Sequence, residues 1–188
     1  MTALDKNSLV GVIGAGDIGS GIAKLALQAG HPVALFDSSA NAAVQAQQRI
    51  AHELQRLVEE GKASESFLED CLFRLHTIEG LGQLAHAGLV IEAIVESLED
   101  TLTVFQDLEE ICEPTCILAT NTPSLTLATL AAGLKQPERV VGMCFSNSAP
   151  QLEKLEVISG LATNEYVVGC VHETITAWCK QLVHAPVP

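Results

Sequence analysis

The chain has 188 residues, of which 48% are hydrophobic and 18% are charged, and its formal net charge at neutral pH is -13. This length and composition predict a globular domain with a substantial apolar core, and they exclude a disordered or collagen-like protein. The strongly negative charge argues against nucleic acid as a partner, because binding nucleic acid depends on clustered lysines and arginines.

The six cysteines are scattered along the chain and form no Cys-x-x-Cys pair. Cys112 and Cys116 come closest, but no histidine cluster completes a zinc-ligand spacing, so we expect no metal site. Scattered thiols suit a reducing compartment. The stretch from Met1 to Ser8 does not resemble a signal peptide, and no apolar run reaches the length of a membrane span. We therefore expect a cytoplasmic protein without a membrane partner.

Strands and helices alternate along the chain, which favours an α/β fold with a mainly parallel sheet covered on both faces. We expect one domain over residues 1–188. In the first part of the chain the patterns predict a strand from Leu9 to Ile13, a helix ending at Gly30, a strand from Val33 to Phe36, a long helix from Ala40 to Glu60, and a short helix capped by Ser64 or Ser66 and running through Cys71. In the middle they predict a strand from Leu75 to Ile78, a short helix to Ala87, a strand from Leu89 to Ala93, a helix from Ser97 to about Cys112, and a strand from Cys116 to Thr120. In the last part they predict a helix from Ser124 to Ala132, strands from Val140 to Phe145 and from Leu155 to Ile158, and a last helix from Glu165 to Leu182.

A glycine-rich turn joins the first strand to the first helix, and it reads Gly14-Ala15-Gly16-Asp17-Ile18-Gly19. In this context the first glycine allows a tight turn, the second lets a pyrophosphate approach the backbone, and the third lets helix and strand pack closely. The amide groups at the helix start then face the phosphates. The sequence therefore predicts a doubly wound dinucleotide-binding fold of the Rossmann type. The alternative is that the three glycines serve only the tight turn.

Asp37 ends the second strand, roughly 20 residues after the turn, where a carboxylate accepts hydrogen bonds from the adenosine ribose. The same carboxylate would repel a 2'-phosphate, and Ser38 and Ser39 follow it with no arginine to bind one. The sequence therefore predicts NAD rather than NADP as the cofactor. The alternative role for Asp37 is an N-cap of the following helix, and the two roles are compatible.

Several stretches resemble the NAD-binding domain of the L-3-hydroxyacyl-CoA dehydrogenase family. They run from Val10 to Gly16, Gly19 to Ala23, Gln28 to His31, Val90 to Glu96, Leu118 to Thr122 and Pro137 to Val140. The helical segment from Ala40 to Cys71 is similar to the helical hairpin that these enzymes carry after their second strand. The resemblance covers nearly the whole chain in order.

The resemblance implies NAD as cofactor and an L-3-hydroxyacyl-CoA whose hydroxyl group is oxidised by hydride transfer to NAD. It implies that Glu96, Asn121 and the backbone at Ala93 and Ile94 line the nicotinamide half of the site. The family's second, all-helical domain has no counterpart in these residues. That domain makes the family's dimer, so we expect a homo-oligomer or association with a separate helical domain.

The sequence departs from the family pattern where the family's chemistry lies. Cys144 stands at the place of the histidine base in a Gly-x-His-Phe-x-Asn-Pro pattern, and Glu156 stands at the place of the carboxylate that orients it. Pro123 replaces a substrate-binding serine, and Thr101 replaces a lysine. A thiol is mostly protonated at neutral pH, and its anion would be repelled by the glutamate.

Three hypotheses about function follow. The first is an NAD-dependent 3-hydroxyacyl-CoA dehydrogenase component, and the second is a non-catalytic NAD(H)-binding module or subunit. The third is a different NAD-dependent oxidoreductase that uses Cys144. We expect this chain alone to turn over weakly or not at all.

None of the six histidines has a carboxylate at a telling spacing, and we place them in loops or on surfaces without a role. They are His31, His52, His76, His86, His172 and His184. The surface that a second domain would cover is expected to self-associate through the segment from Glu165 to Pro188.

Overall fold

The computed structural model describes residues 2–94, 97–121, 124–145, 154–178 and 181–186. The strands are β1 (Leu9–Ile13), β2 (Val33–Phe36), β3 (Leu75–Thr77), β4 (Ala87–Glu92), β5 (Ile117–Thr120), β6 (Val140–Phe145), β7 (Lys154–Ser159) and β8 (Gln181–Pro186). The helices are α1 (Asp17–Ala29), α2 (Ala40–Glu59), α3 (Glu65–Arg74), α4 (Leu98–Ile111), α5 (Ser124–Ala132) and α6 (Glu165–Trp178), and short 3-10 helices cover Leu81–Leu84 and Pro137–Arg139.

The eight strands form one sheet in the order β3-β2-β1-β4-β5-β6-β7-β8. All neighbouring strands are parallel except β6 and β7, which are antiparallel. The chain moves outward from β1 to β3 and then returns to add β4 on the other side of β1. The predicted doubly wound, mainly parallel fold is therefore confirmed, and its crevice lies where the strand order reverses, between the carboxyl ends of β1 and β4.

Two apolar layers cover the sheet, one on each face. The first layer contains buried side chains of α1, α2, α3 and α6, such as Ile22, Ile50 and Val171. The second contains Phe105 and Leu108 of α4, with side chains of α5 and of the first 3-10 helix. Because both faces are covered, the central strands read as continuous apolar runs in the sequence.

Short-range signals fix the helix ends as the sequence predicts. Ser64 Oγ accepts a hydrogen bond from the Phe67 amide at the start of α3, and Ser97 Oγ accepts one from the Asp100 amide at the start of α4. Gly30 ends α1 with φ 102°. Side-chain oxygens at a helix start satisfy amides that have no partner within the helix, and glycine adopts a positive φ with little strain.

The predicted helix from Glu165 to Leu182 is wrong at its C-terminal end. Helix α6 ends at Trp178, and Gln181–Pro186 forms edge strand β8, which is parallel to β7. Proline lacks an amide donor, and the residue before it favours extended backbone, so Pro186 suits an edge strand and opposes a helix. The apolar spacing continued past the true helix end and concealed the change.

The remaining differences are shifts of boundaries. Strand β3 ends before Ile78, β4 begins at Ala87 and ends before Ala93, and Cys116 precedes β5. The predicted short helix to Ala87 is a 3-10 helix at Leu81–Leu84, and α1 begins at Asp17, inside the glycine-rich turn.

His31 lies in the loop between α1 and β2, as the sequence predicts, but it is buried rather than exposed. Its side chain is 3% exposed and packs edge-on against Trp178, with ring centroids 5.4 Å apart. The Nδ1 atom lies 3.4 Å from the carbonyl oxygen of Ser8. The loop that carries His31 is covered by α6, a long-range contact that local spacing cannot reveal.

Candidate functional site

The glycine-rich turn lies at the carboxyl end of β1 and is held by both neighbouring strands. The Gly14 amide donates to the carbonyl oxygen of Phe36 at 2.8 Å, and the Ala93 amide donates to that of Ile13 at 2.7 Å. Gly14 has φ +104°, and a methyl carbon at this position would lie 2.7 Å from the carbonyl carbon of Ala93. The tight turn that the sequence predicts therefore requires glycine.

Gly16 and Gly19 have opposite surroundings within the same turn. A methyl carbon at Gly19 would lie 2.9 Å from the carbonyl carbon of Gly14, whereas one at Gly16 would meet no atom within 4 Å. Helix α1 therefore packs directly on the turn at Gly19, and the space beside Gly16 is open. A chemical group can approach the backbone there without displacing a side chain.

Helix α1 begins without a side-chain cap. Gly16 is its N-cap residue and offers no side-chain acceptor for the amides of Asp17, Ile18 and Gly19. The first amides of a helix have no partner within it, and the helix dipole adds a positive potential at the same end. The turn is therefore suited to a phosphate group even though the protein is strongly acidic.

Asp37 lies beside this turn with its carboxylate directed at the backbone. Its Oδ2 accepts a hydrogen bond from the Ala15 amide at 2.8 Å, and its Oδ1 accepts one from the Ser39 amide at 2.9 Å. Each carboxylate oxygen retains a further acceptor site, so the group is held in place and can still bind two hydroxyls. The N-cap residue of α2 is Ser39 and not Asp37, so the alternative role for Asp37 is wrong.

Arg49 of α2 also contacts the turn, and sequence reasoning missed it. Its Nη2 donates to the carbonyl oxygen of Ala15 at 2.8 Å and to Ser20 Oγ at 3.2 Å. Asp37 and Arg49 therefore hold the two sides of Ala15, one at its amide and one at its carbonyl. A single arginine on an exposed helix position carries no signal of this contact in the sequence.

A second polar group lies across the crevice, at the carboxyl ends of β4, β5 and β6. The Glu92 side chain is 1% exposed and accepts hydrogen bonds from the Ile94 amide and from Thr120 Oγ1, both at 2.7 Å. The Asn121 amide donates to the carbonyl oxygen of Glu92, and Asn121 Oδ1 accepts from the Phe145 amide, both at 2.8 Å. The structure thus brings Asn121 and the Ala93–Ile94 backbone to one place, while Glu96 lies outside the described residues.

Glu92 and Thr120 were not predicted as site residues. The available signal was a carboxylate at the last position of an otherwise apolar strand, Ala87–Glu92. This pattern predicts a buried acidic side chain at the carboxyl end of a central strand. Buried charges at such positions are retained where they are hydrogen-bonded or functional.

Cys144 and Glu156 are direct partners in the antiparallel pair β6 and β7. Opposite residues in such a pair share one face of the sheet, so the two groups are neighbours, as the resemblance implies. Burial, together with the negative charge of Glu156, raises the pKa of the Cys144 thiol to about 11. With such a pKa the thiol is protonated at neutral pH, which disfavours a role as a general base or a nucleophile.

Within the described ranges, no group of three or more histidine, cysteine, aspartate or glutamate side chains is arranged to hold a metal ion. No helix of the described part is long and apolar enough to cross a membrane.

Residues 9–187 match the family model described as "3-hydroxyacyl-CoA dehydrogenase, NAD binding domain". The chain is 43% identical to the 3-hydroxyadipyl-CoA dehydrogenase of Escherichia coli over 174 residues, which cover 93% of this chain and 37% of the relative. It is 41% identical to a probable 3-hydroxybutyryl-CoA dehydrogenase of Bacillus subtilis over 154 residues, which cover 82% of this chain and 54% of the relative.

Solved structures give the same result. A crystal structure of 3-hydroxybutyryl-CoA dehydrogenase from Escherichia coli superimposes with a TM-score of 0.91 at 42% identity, covering 97% of this chain and 39% of that one. The (S)-3-hydroxybutyryl-CoA dehydrogenase of Ralstonia eutropha gives a TM-score of 0.90 at 27% identity, covering 97% and 64%. The chain therefore spans about four tenths to two thirds of the length of these relatives.

The resemblance on which the sequence hypotheses depend is confirmed by this match, and the turn, Asp37 and the open space at Gly16 fit the cofactor that the matched model names. The chain belongs to the 3-hydroxyacyl-CoA dehydrogenase family, whose NAD-binding domain it represents, and its cofactor is NAD.

Proposed function

We propose that this chain is an NAD(H)-binding unit of the 3-hydroxyacyl-CoA dehydrogenase type that, by itself, oxidises a hydroxyacyl substrate weakly or not at all. The observation that carries the second half of the proposal is the pair of Cys144 and Glu156. The resemblance places a histidine base and its orienting carboxylate at these positions, and a protonated thiol cannot take the base's role.

Three groups of this chain each bind a different part of the cofactor. The amides at the start of α1 bind the pyrophosphate, and Asp37 accepts hydrogen bonds from the adenosine ribose hydroxyls. The side-chain amide of Asn121 and the Ala93–Ile94 backbone face the nicotinamide end. When bound, NAD supplies the hydride acceptor of the family reaction.

Asp37 also sets the choice between NAD and NADP. Its carboxylate is held by the Ala15 and Ser39 amides, so it cannot swing away when a larger ribose substituent arrives. A 2'-phosphate placed there would meet a fixed negative charge at short range, which disfavours NADP.

On the acid–base side, the family reaction needs a group that takes the proton of the substrate hydroxyl as hydride leaves. A histidine with a pKa near neutrality accepts that proton and is stabilised as a cation beside a glutamate. The Cys144 thiol would become an anion beside Glu156 when it ionises, and that arrangement is repulsive. The same repulsion disfavours the alternative of a different oxidoreductase that uses Cys144.

An L-3-hydroxyacyl-CoA is the substrate class that we propose for any complete enzyme built on this unit. The support is the activity for which the relatives are named, a 3-hydroxyadipyl-CoA dehydrogenase and a probable 3-hydroxybutyryl-CoA dehydrogenase. The same named activities support a role in fatty acid metabolism. The scattered cysteines of the sequence support a location in the cytoplasm.

Calorimetric titration of the chain with NAD, NADH and NADP tests the cofactor half of the proposal. We expect NAD and NADH to bind and NADP to bind at least ten-fold more weakly. The repulsion between the Asp37 carboxylate and the 2'-phosphate of NADP is worth at least that much. Adding NAD with 3-hydroxybutyryl-CoA and following NADH absorbance tests the catalytic half. Turnover of about 1 s⁻¹ or faster, which is usual for enzymes, would contradict it.

Cys144→His tests whether position 144 is where the base is missing. We expect this variant to raise the rate of NADH formation over the wild-type chain, because a positioned general base contributes about 10²- to 10⁴-fold. Cys144→Ser is the matched control, since it removes the thiol without adding a base, and it should leave the rate unchanged. A histidine variant no faster than the serine variant would contradict the assignment of position 144.

We also propose that the chain associates, either with itself through the segment from Glu165 to Pro188 or with a separate helical domain. The support is the family's use of a second domain, because apolar surface that such a domain covers normally forms an interface. Analytical ultracentrifugation over a range of concentrations tests self-association, and a monomer at the highest concentration would contradict it.

A further inference from the structure

Glu92 is the only buried acidic side chain in the described part of the molecule. It is the last residue of β4 and lies at the carboxyl edge of the sheet, beside the point where the strand order reverses. Neither the turn at Gly14 to Gly19 nor the Cys144–Glu156 pair requires a carboxylate at this position. A buried charge is costly, so this one needs a separate explanation.

Both carboxylate oxygens of Glu92 accept hydrogen bonds from groups in the described part of the structure. The Ile94 amide, which can only donate, is bonded to Oε1, and the Thr120 hydroxyl donates to Oε2, both at 2.7 Å. Hydrogen bonds donated to both oxygens stabilise a carboxylate anion. Thr120 is itself fully buried, so solvent does not screen the charge from that side.

The position of Glu92 relative to the cofactor follows from the two ends of the site. Asp37 and the α1 amides mark the adenosine and pyrophosphate parts of the cofactor on the β1–β2 side. A dinucleotide in a doubly wound sheet crosses the reversal point, so its nicotinamide half lies over the ends of β4 and β5. This step rests on the proposed binding of NAD(H).

We propose that Glu92 sets the relative affinity of this site for oxidised and reduced cofactor. The nicotinamide ring of NAD⁺ carries a positive charge, and it becomes neutral when the ring gains a hydride, which brings one proton and two electrons. A fixed negative charge nearby stabilises the cation and has little effect on the neutral ring. Glu92 therefore favours NAD⁺ over NADH and acts as a specificity-determining residue for the redox state.

The test measures dissociation constants for NAD⁺ and NADH with the wild-type chain and with Glu92→Gln, which keeps the shape and removes the charge. We expect NAD⁺ to lose at least about ten-fold more affinity than NADH, because a charge pair within about 12 Å at an effective dielectric constant of about 20 is worth at least that much. Equal losses for both forms would show a purely structural role and overturn the proposal, and so would no change in either.

Glu92→Asp is the matched control, because it keeps the carboxylate and disturbs the hydrogen bonds to the Ile94 amide and the Thr120 hydroxyl. Its ratio of the two affinities should stay within about two-fold of the wild-type ratio, while a general loosening of the network would change it as much as Glu92→Gln does.

A second measurement needs no variant and decides the matter if Glu92→Gln does not fold. The unaltered chain should bind NAD⁺ more tightly than ADP-ribose, which lacks the cationic ring, and equal affinities would overturn the proposal. If neither NAD⁺ nor NADH nor ADP-ribose binds, the proposed cofactor site fails, and that outcome is distinct from binding without a preference.

Discussion

Alanine substitutions at Gly16 and Gly19 separate two roles within one turn. Both glycines precede or begin the same helix, yet a methyl carbon at Gly19 would lie 2.9 Å from the carbonyl carbon of Gly14, and one at Gly16 would meet nothing within 4 Å. Gly19→Ala should therefore damage the fold, and Gly16→Ala should damage only the approach of a ligand to the backbone.

The magnitudes follow from these contacts. In a free helix Gly→Ala stabilises by about 1 kcal/mol, but here the added carbon overlaps backbone that cannot rotate away. Overpacking of this kind costs about 1–3 kcal/mol or more, and the buried position of Gly19 places it at the upper end. A net loss of about 2 kcal/mol lowers the Tm of a chain this long by roughly 4–8 °C. For Gly16→Ala the backbone is already extended, with φ -69° and ψ -170°, so we expect a change of Tm within about 2 °C.

Thermal unfolding by circular dichroism and NADH titration by fluorescence measure the two effects on the same samples. We expect Gly16→Ala to unfold like the wild type and to lose NADH affinity at least ten-fold, because its methyl group occupies the space needed by the pyrophosphate. A Gly16→Ala variant that binds NADH normally, or a Gly19→Ala variant as stable as the wild type, would refute the reasoning.

Three further predictions concern single side chains. Asp37→Ala should weaken NAD binding by about ten- to a hundred-fold, since hydrogen bonds to a charged group are worth about 1.5–3 kcal/mol, and should weaken NADP less; calorimetry that finds equal losses would contradict the role of Asp37. Burial lowers the pKa of His31 in the folded protein, and the Ser8 carbonyl partly opposes this effect. The free energy of unfolding should therefore be highest above the ordinary pKa of 6.5 and decrease as the pH falls below it, because the unfolded chain then binds a proton that the folded chain does not. His31→Phe should flatten that part of the urea-unfolding profile between about pH 6.5 and 5, and an unchanged slope would show that another group causes it. The Cys144 thiol, with its pKa raised to about 11, should react with iodoacetamide more slowly at pH 7.5 than a free cysteine does, and a faster reaction would favour a thiol-dependent activity.

The parts of the fold that the sequence predicts well are those fixed by local signals. The order of strands and helices follows from apolar runs bounded by turn residues, and the caps at Ser64 and Ser97 follow from residue type. The turn at Gly14 follows from a pattern in which each glycine has a steric reason. The family and its cofactor NAD, which the resemblance implied, are confirmed by the match over residues 9–187.

The parts that it predicts badly depend on contacts between distant segments. Strand β8 pairs with β7, and nothing within Gln181–Pro186 distinguishes a strand from the last turn of an apolar helix except its proline. His31 is buried because α6 covers its loop. Arg49 lies in α2 and Glu92 at the end of β4, and both elements reach the same crevice. The spacing of residues along the chain does not predict contacts between elements so far apart in sequence.

The bond from Arg49 to the carbonyl oxygen of Ala15 joins the helical hairpin of α2 and α3 to the backbone that faces the phosphates. We expect cofactor binding to stabilise the hairpin through this bond, and any such coupling acts equally in both directions. Amide hydrogens in α2 should then exchange more slowly with solvent once the dinucleotide is bound, even though the ligand touches none of them.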